Sequence, residues 1–155
     1  GPVYFRVLRP AVPRVFNEDY KFEWKPVLLK EGNDVALITT GFMTSRGIIA
    51  AELLKKEGIK AAVVHVPCLK PLDKELIVEV ADKCGAVVTA ENHSIIGGLA
   101  GAVSEILAEE CPVPIKRVGV KDLFVETGED DDILRKYGLL PEDIVKAAKQ
   151  IINKK

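Results

Sequence analysis

The sequence has little of what builds metal centres or disulfide frameworks. It holds two histidines and three cysteines (Cys68, Cys84 and Cys111), odd in number and without CxxC spacing. Structural zinc sites need four such ligands in close pairs, so no metal site is expected. The scattered thiols indicate reduced cysteines in a cytosolic protein. No apolar run approaches the ~20 residues that span a bilayer, and no signal-peptide pattern opens the chain. Charge of one sign is also missing: 22 Lys and Arg face 23 Asp and Glu, a net charge of -1, which offers no footprint for nucleic acid. The longest acidic run, Glu129 to Asp132, is too short for an acidic tail and reads as a solvated helix start. There is no GxGxxG fingerprint, no nucleophile elbow around Ser45 or Ser94, and no internal repeat. The first residue is not methionine. Gly1-Pro2 followed by the strand-like Val3 to Leu8 is expected of a piece of a longer polypeptide, or of a tag-cleavage scar.

What is present is regular alternation. Residues 1–34 carry one strand, then Pro10, Pro13 and Pro26 among Phe16, Tyr20, Phe22 and Trp24. Prolines at this density favour extended chain, so the stretch reads as a linker pinned by its aromatics. Val27 to Gly32 fits a short edge strand ending in a turn. From Val35 the nearly continuous apolar run Val35-Ala36-Leu37-Ile38-Thr39-Thr40 predicts a strand buried on both faces. A helix follows, with Ile49, Ala50, Leu53 and Leu54 on its inward face and Gly58 after it. Ala61–Val66 is the next strand. A helix from Asp73 buries Leu76, Ile77, Val80 and Ala81, and Ala86–Ala90 is the fourth strand. A helix from Leu99 to Glu110 carries Val103, Ile106 and Leu107 inward. Ile115–Val120 is the last strand, before helices at Asp131–Tyr137 and from Pro141. Such alternation predicts an α/β three-layer sandwich. Its five-stranded sheet is mostly parallel, with one antiparallel edge strand.

In such folds binding belongs at the carboxyl ends of the strands. Gly41, Glu91, His93, Ser94, Gly97, Gly98 and Asp122 are therefore the candidates for a cleft or an interface. Glu91 and His93 have the chemistry of an acid/base pair, and Gly97, Gly98 and Gly101 loosely resemble a phosphate-binding turn. Against this, glycines at a helix start also serve close packing, and a lone strand-end histidine is commonly a loop or interface residue. His65, inside an apolar strand, reads as a satisfied core or interface histidine, and Cys68 as structural. Nothing local assembles a complete catalytic set.

Several stretches together resemble one family. Gly1 to Pro10 looks like the last strand of the pyrimidine-binding domain of transketolases, and Val35 to Gly41 like the first strand of their third domain. Glu91-Asn92-His93-Ser94-Ile95-Ile96-Gly97-Gly98-Leu99 closely resembles the E-x-H-S-x-x-G-G-L turn of two-subunit microbial transketolases. Arg117 to Gly128 and Leu134 to Ile144 continue the match. Leu140, where relatives often have Thr or Ser, and Val125, where many have Gly, depart from it.

The resemblance divides the chain into 1–34, the end of a pyrimidine-binding domain with its linker, and 35–155, a C-terminal α/β domain. It implies transfer of a two-carbon ketol unit between sugar phosphates, as in the pentose phosphate pathway. Thiamine diphosphate and magnesium are then bound by domains absent from this sequence. This domain supports assembly of a homo-oligomer, a dimer in the family, with the remaining transketolase domains or subunit as partners, and is inactive alone. Arg9 matches the arginine that contacts the substrate phosphate, work suited to a bidentate guanidinium. Deoxyxylulose-phosphate synthases and the beta subunits of 2-oxo acid dehydrogenases end in similar domains and are alternative readings. A stand-alone ligand-binding or regulatory module is a third.

Overall fold

The structure, a computed structural model, describes residues 1–2 and 11–154. Five strands are β1 (Val27–Lys30), β2 (Val35–Thr39), β3 (Ala61–His65), β4 (Val87–Ser94) and β5 (Ile115–Val120). Five helices are α1 (Met43–Lys56), α2 (Glu75–Cys84), α3 (Leu99–Glu110), α4 (Asp130–Lys136) and α5 (Pro141–Ile152). The sheet runs β1-β3-β2-β4-β5, and only β1 is antiparallel to its neighbour. The expected five-stranded mixed sheet is therefore the observed one.

β2 lies at the centre and exposes neither face. Alternation along it sorts its side chains between two cores. Val35 and Leu37 join Ala50, Ala51 and Leu54 of α1 and Ile144, Ala148 and Ile151 of α5. Ala36 and Ile38 join Ile77, Val80 and Ala81 of α2 and Leu99, Val103 and Leu107 of α3. The helices thus form two layers over one sheet. Ion pairs such as Lys30–Glu52 and Lys149–Glu57 lie at the solvent-facing rim.

Three local expectations need correction. Ile49 does not face inward but is exposed, and Gly47 shares the buried face of α1 with Ala50 and Leu54 instead. That face packs closely on the sheet: a Cβ at Gly47 would stand 2.7 Å from Thr39 Cγ2. Asp73 precedes α2 rather than beginning it, although its Oδ1 accepts from the Glu75 N–H at 3.1 Å as a cap would. β4 runs four residues past Ala90, to Ser94.

At α5, Leu140 has no side-chain cap to offer, and the helix supplies one itself: Asp143 Oδ2 accepts from the Leu140 N–H at 3.0 Å. The linker aromatics split into two pairs. Phe16 stacks on Tyr20 at 3.9 Å and meets the His65 ring edge-on at 5.3 Å. Phe22 and Trp24 contact each other and stay mostly exposed.

Two truncations separate the buried face from the exposed one. Leu37→Ala removes a fully buried side chain and is expected to lower stability by about 2–5 kcal/mol. Ile49→Ala should change it by no more than ~0.5 kcal/mol. Urea unfolding monitored by circular dichroism checks both.

Candidate functional site

The strand order reverses between β2 and β4. The chain leaves β2 for α1 on one face of the sheet and leaves β4 for α3 on the other. A crevice opens at such a switch point, outside the carboxyl ends of the strands. Gly41 and Asn92 meet there: a Cβ at Gly41 would lie 4.0 Å from Asn92 Oδ1. Thr40 Oγ1 donates to the Val66 carbonyl at 2.7 Å and ties the ends of β2 and β3 together.

Glu91 is the centre of the region, and its role is not acid/base. It is 2% exposed. Its Oε2 accepts from the Leu99 N–H at 2.8 Å and its Oε1 from the Ala100 N–H at 2.9 Å. Both oxygens thus satisfy donors that the first turn of α3 leaves open, at the positive end of the helix dipole. This corrects the comparison with a phosphate-binding turn: the anion at the helix N-terminus is the protein's own carboxylate. Gly98 is there because nothing larger fits, since a Cβ would stand 2.0 Å from Glu91 Oε2.

The backbone delivers Glu91 to this position through an irregularity. Ala90 pairs with Val118 and Ser94 with Val120, so Glu91, Asn92 and His93 oppose the single residue Gly119. Bulges of this kind re-aim side chains beside functional sites. Gly119 accommodates the bulge, because a Cβ there would approach Ile95 Cγ2 to 2.9 Å and the His93 carbonyl oxygen to 3.0 Å. This is also why β4 outruns its apolar segment. The pairing resumes after the bulge, which a reading of hydrophobicity alone takes for a turn.

The other candidates lie on the rim. His93 is exposed, and its ring Nδ1 lies 3.3 Å from the Ser94 carbonyl oxygen. Glu91 and His93 therefore do not form an acid/base pair. Ser94 Oγ accepts from the Ile96 N–H at 3.1 Å. Gly97 is exposed. Asp122 has φ 48° and follows β5, its N–H bonded to the Val120 carbonyl. Arg9 lies outside the described residues.

A polar network at the ends of β2 and β3 went unselected in the sequence. Thr39 is fully buried, and its Oγ1 lies 2.9 Å from the Val64 carbonyl oxygen and 3.2 Å from Thr44 Oγ1. Thr44 Oγ1 lies 2.8 Å from His65 Nδ1. One assignment makes every contact a hydrogen bond with each hydroxyl donating once. In it Nδ1–H donates to Thr44, Thr44 to Thr39, and Thr39 to Val64. His65 is therefore a satisfied, half-buried histidine, as its apolar strand predicted. The signal for the network was Thr39, a hydroxyl closing an otherwise apolar strand.

Among the described residues, no three His, Cys, Asp or Glu side chains are grouped so as to hold a metal ion. The N-terminus of α3, where a diphosphate would seek N–H donors, is filled by Glu91. That helix end therefore has its first donors satisfied by Glu91 rather than open to a diphosphate. No helix among them is long and apolar enough to cross a membrane, and Cys68, Cys84 and Cys111 form no disulfide.

An open sheet wound in both directions, mainly parallel and with one antiparallel edge, places the chain among the doubly wound α/β domains. The chain belongs to the transketolase C-terminal domain family: residues 25–144 match the family described as "Transketolase, C-terminal domain". It is similar to the 6-deoxy-6-sulfo-D-fructose transketolase subunit of Clostridium sp. (strain MSTE9), at 47% identity over 100% of this chain and 48% of that protein. It is 38% identical to an apulose-4-phosphate transketolase subunit of Phocaeicola vulgatus, over 99% of this chain and 49% of that protein. A solved structure of a split-gene transketolase, described as an inactive beta4 tetramer, superposes with a TM-score of 0.88 at 48% identity, covering 94% of this chain and 48% of that one. The chain thus spans about half the length of the relatives it matches.

Gly98→Ala forces the new methyl into the Glu91 carboxylate and should destabilise the domain by several kcal/mol, on the order of 3. Glu91→Gln places an amide N–H against one helix donor and should cost about 1–3 kcal/mol. Gly101→Ala, inside α3 where a Cβ meets nothing within 4 Å, should instead stabilise by up to about 1 kcal/mol in the same urea titrations.

Burial holds the His65 pKa below its ordinary 6.5. The folded state thus favours the neutral ring, and the unfolded state binds more protons as pH falls below about 6.5. The stability His65 confers is present above that pH and is lost as pH drops through the depressed folded value. The urea midpoint should therefore fall between about pH 7.5 and pH 5.5, and His65→Gln should flatten that dependence.

Proposed function

We propose that this domain works as the C-terminal part of a transketolase, an enzyme that moves a two-carbon ketol unit between sugar phosphates. In this reading thiamine diphosphate and magnesium are held by the other part of the enzyme, whether a domain or a separate subunit. The domain contributes to assembly of a cytosolic homo-oligomer and catalyses nothing alone. The observation that carries the reading is the likeness along essentially the whole chain to transketolase subunits of about twice its length. The geometry of the strand ends agrees with it. The buried carboxylate is committed to α3, and the rim residues Gly41, His93, Ser94 and Asp122 are suited to contact a neighbouring domain. Arg9 is assigned to the substrate phosphate in the assembled enzyme, where a permanently charged, forked donor suits a phosphoryl group.

Calorimetry and a ketol-transfer assay test this together. The purified chain should bind no thiamine diphosphate with or without magnesium, and should show no turnover. Tight, magnesium-dependent binding to the chain alone would overturn the proposal. In the assembled enzyme, Arg9→Gln should raise KM for a phosphorylated substrate by roughly 10–100-fold, the effect of losing a charge-assisted contact.

A further inference from the structure

We propose that the groove beside the free edge of β5 is a binding site for a phosphate-bearing small molecule, a reading independent of ketol transfer. The groove has a volume of about 540 Å³ and lies between β5, the turn at Tyr137 and Gly138, and α5. That size is within the range of small-molecule sites. Four cations line it: Lys116 and Arg117 from β5, Lys121 just beyond it, and Lys146 from α5.

None of the four is ion-paired with a carboxylate among the described residues, whereas several lysines on other faces are. Examples are Lys30 with Glu52, Lys74 with Glu110 and Lys83 with Glu31. The single carboxylate in the lining, Asp143, accepts from the Leu140 N–H and is outnumbered by the four cations. Tyr137 Oη accepts from the Glu126 N–H at 3.2 Å, which leaves its own proton to donate. Arg117 gives one N–H to the Ile95 carbonyl at 3.4 Å and keeps the rest of its fork. The lining is therefore rich in donors and short of acceptors.

Charged side chains on an open strand also deter edge-to-edge pairing, and that accounts for Lys116 and Arg117. It does not account for Lys121, which lies past the strand, or Lys146, which arrives from a helix. In a chain of net charge -1, four cations around one concavity focus a positive field on it. A phosphoryl group supplies the several anionic acceptors that such a donor set requires. A phosphorylated sugar and a nucleotide share that chemistry.

The test is titration of the ¹⁵N-labelled chain with sodium pyrophosphate, a hexose bisphosphate and ATP without magnesium, followed by amide shifts. Saturable shifts confined to residues 115–121 and 137–150 are expected, weakening as salt rises. The larger response to the hexose bisphosphate or to ATP identifies the source of the phosphate. Arg117→Gln combined with Lys146→Gln should weaken binding at least ~10-fold, as expected from loss of two charge-assisted contacts. Both side chains are solvent-accessible, so the urea midpoint should be unchanged. Lys55→Gln with Lys56→Gln, which removes two cations elsewhere, should leave binding intact. Absence of saturable shifts with all three probes, or equal weakening by the control pair, would overturn the proposal.

Discussion

A strand that touches solvent on neither face leaves its neighbours few options. Because Val35 to Thr39 is buried on both sides, a layer of helices must cover each face, and α1 with α5 and α2 with α3 supply them. Parallel pairing on both flanks of β2 then brings the carboxyl ends of three strands together at one edge. There the chain departs in opposite directions, which opens the crevice. The two-sided burial of β2 thus determines both where the core is and where chemistry would have to be.

The second constraint is electrostatic. A helix that begins inside the protein leaves backbone N–H groups without partners, and α3 begins with Leu99 and Ala100, both buried. Glu91 answers that need with two hydrogen bonds. Delivering its side chain there takes a bulge in β4, a glycine opposite the bulge at 119 and a glycine beneath the carboxylate at 98. Three features that look like elements of a ligand site are therefore parts of one capping arrangement. The consequence for function is that the segment richest in functional groups is mostly consumed by folding.

What remains for recognition is the rim of the crevice and the basic groove on β5. They differ in character: the rim carries exposed, singly placed polar residues, as a contact surface between domains does, while the groove gathers cations that no carboxylate among the described residues pairs. The groove adjoins the rim, since Ile95 follows Ser94 and Lys121 precedes Asp122.

Much of this was legible without coordinates. Continuous apolar runs identified the buried strands, three-to-four-residue spacing identified the helices α2 and α3, and the alternation of the two implied the doubly wound class. The motif around Glu91 pointed to the family that the comparisons show. Periodicity could not tell that Ile49 faces outward, because Gly47 occupies the closest approach of α1 to the sheet and a glycine carries no hydrophobic signal. Composition could not tell that Glu91 is a cap rather than a base, because the deciding fact is the position of two N–H groups eight and nine residues onward. Nor does sequence order place Lys146 beside Lys116, which requires α5 to fold back over β5. By itself the sequence determined the elements and, α1 apart, most of their packing faces, since burial and period are local properties of the chain. Only the tertiary structure decided which polar groups meet, because hydrogen bonds and fields depend on distances between residues remote along it.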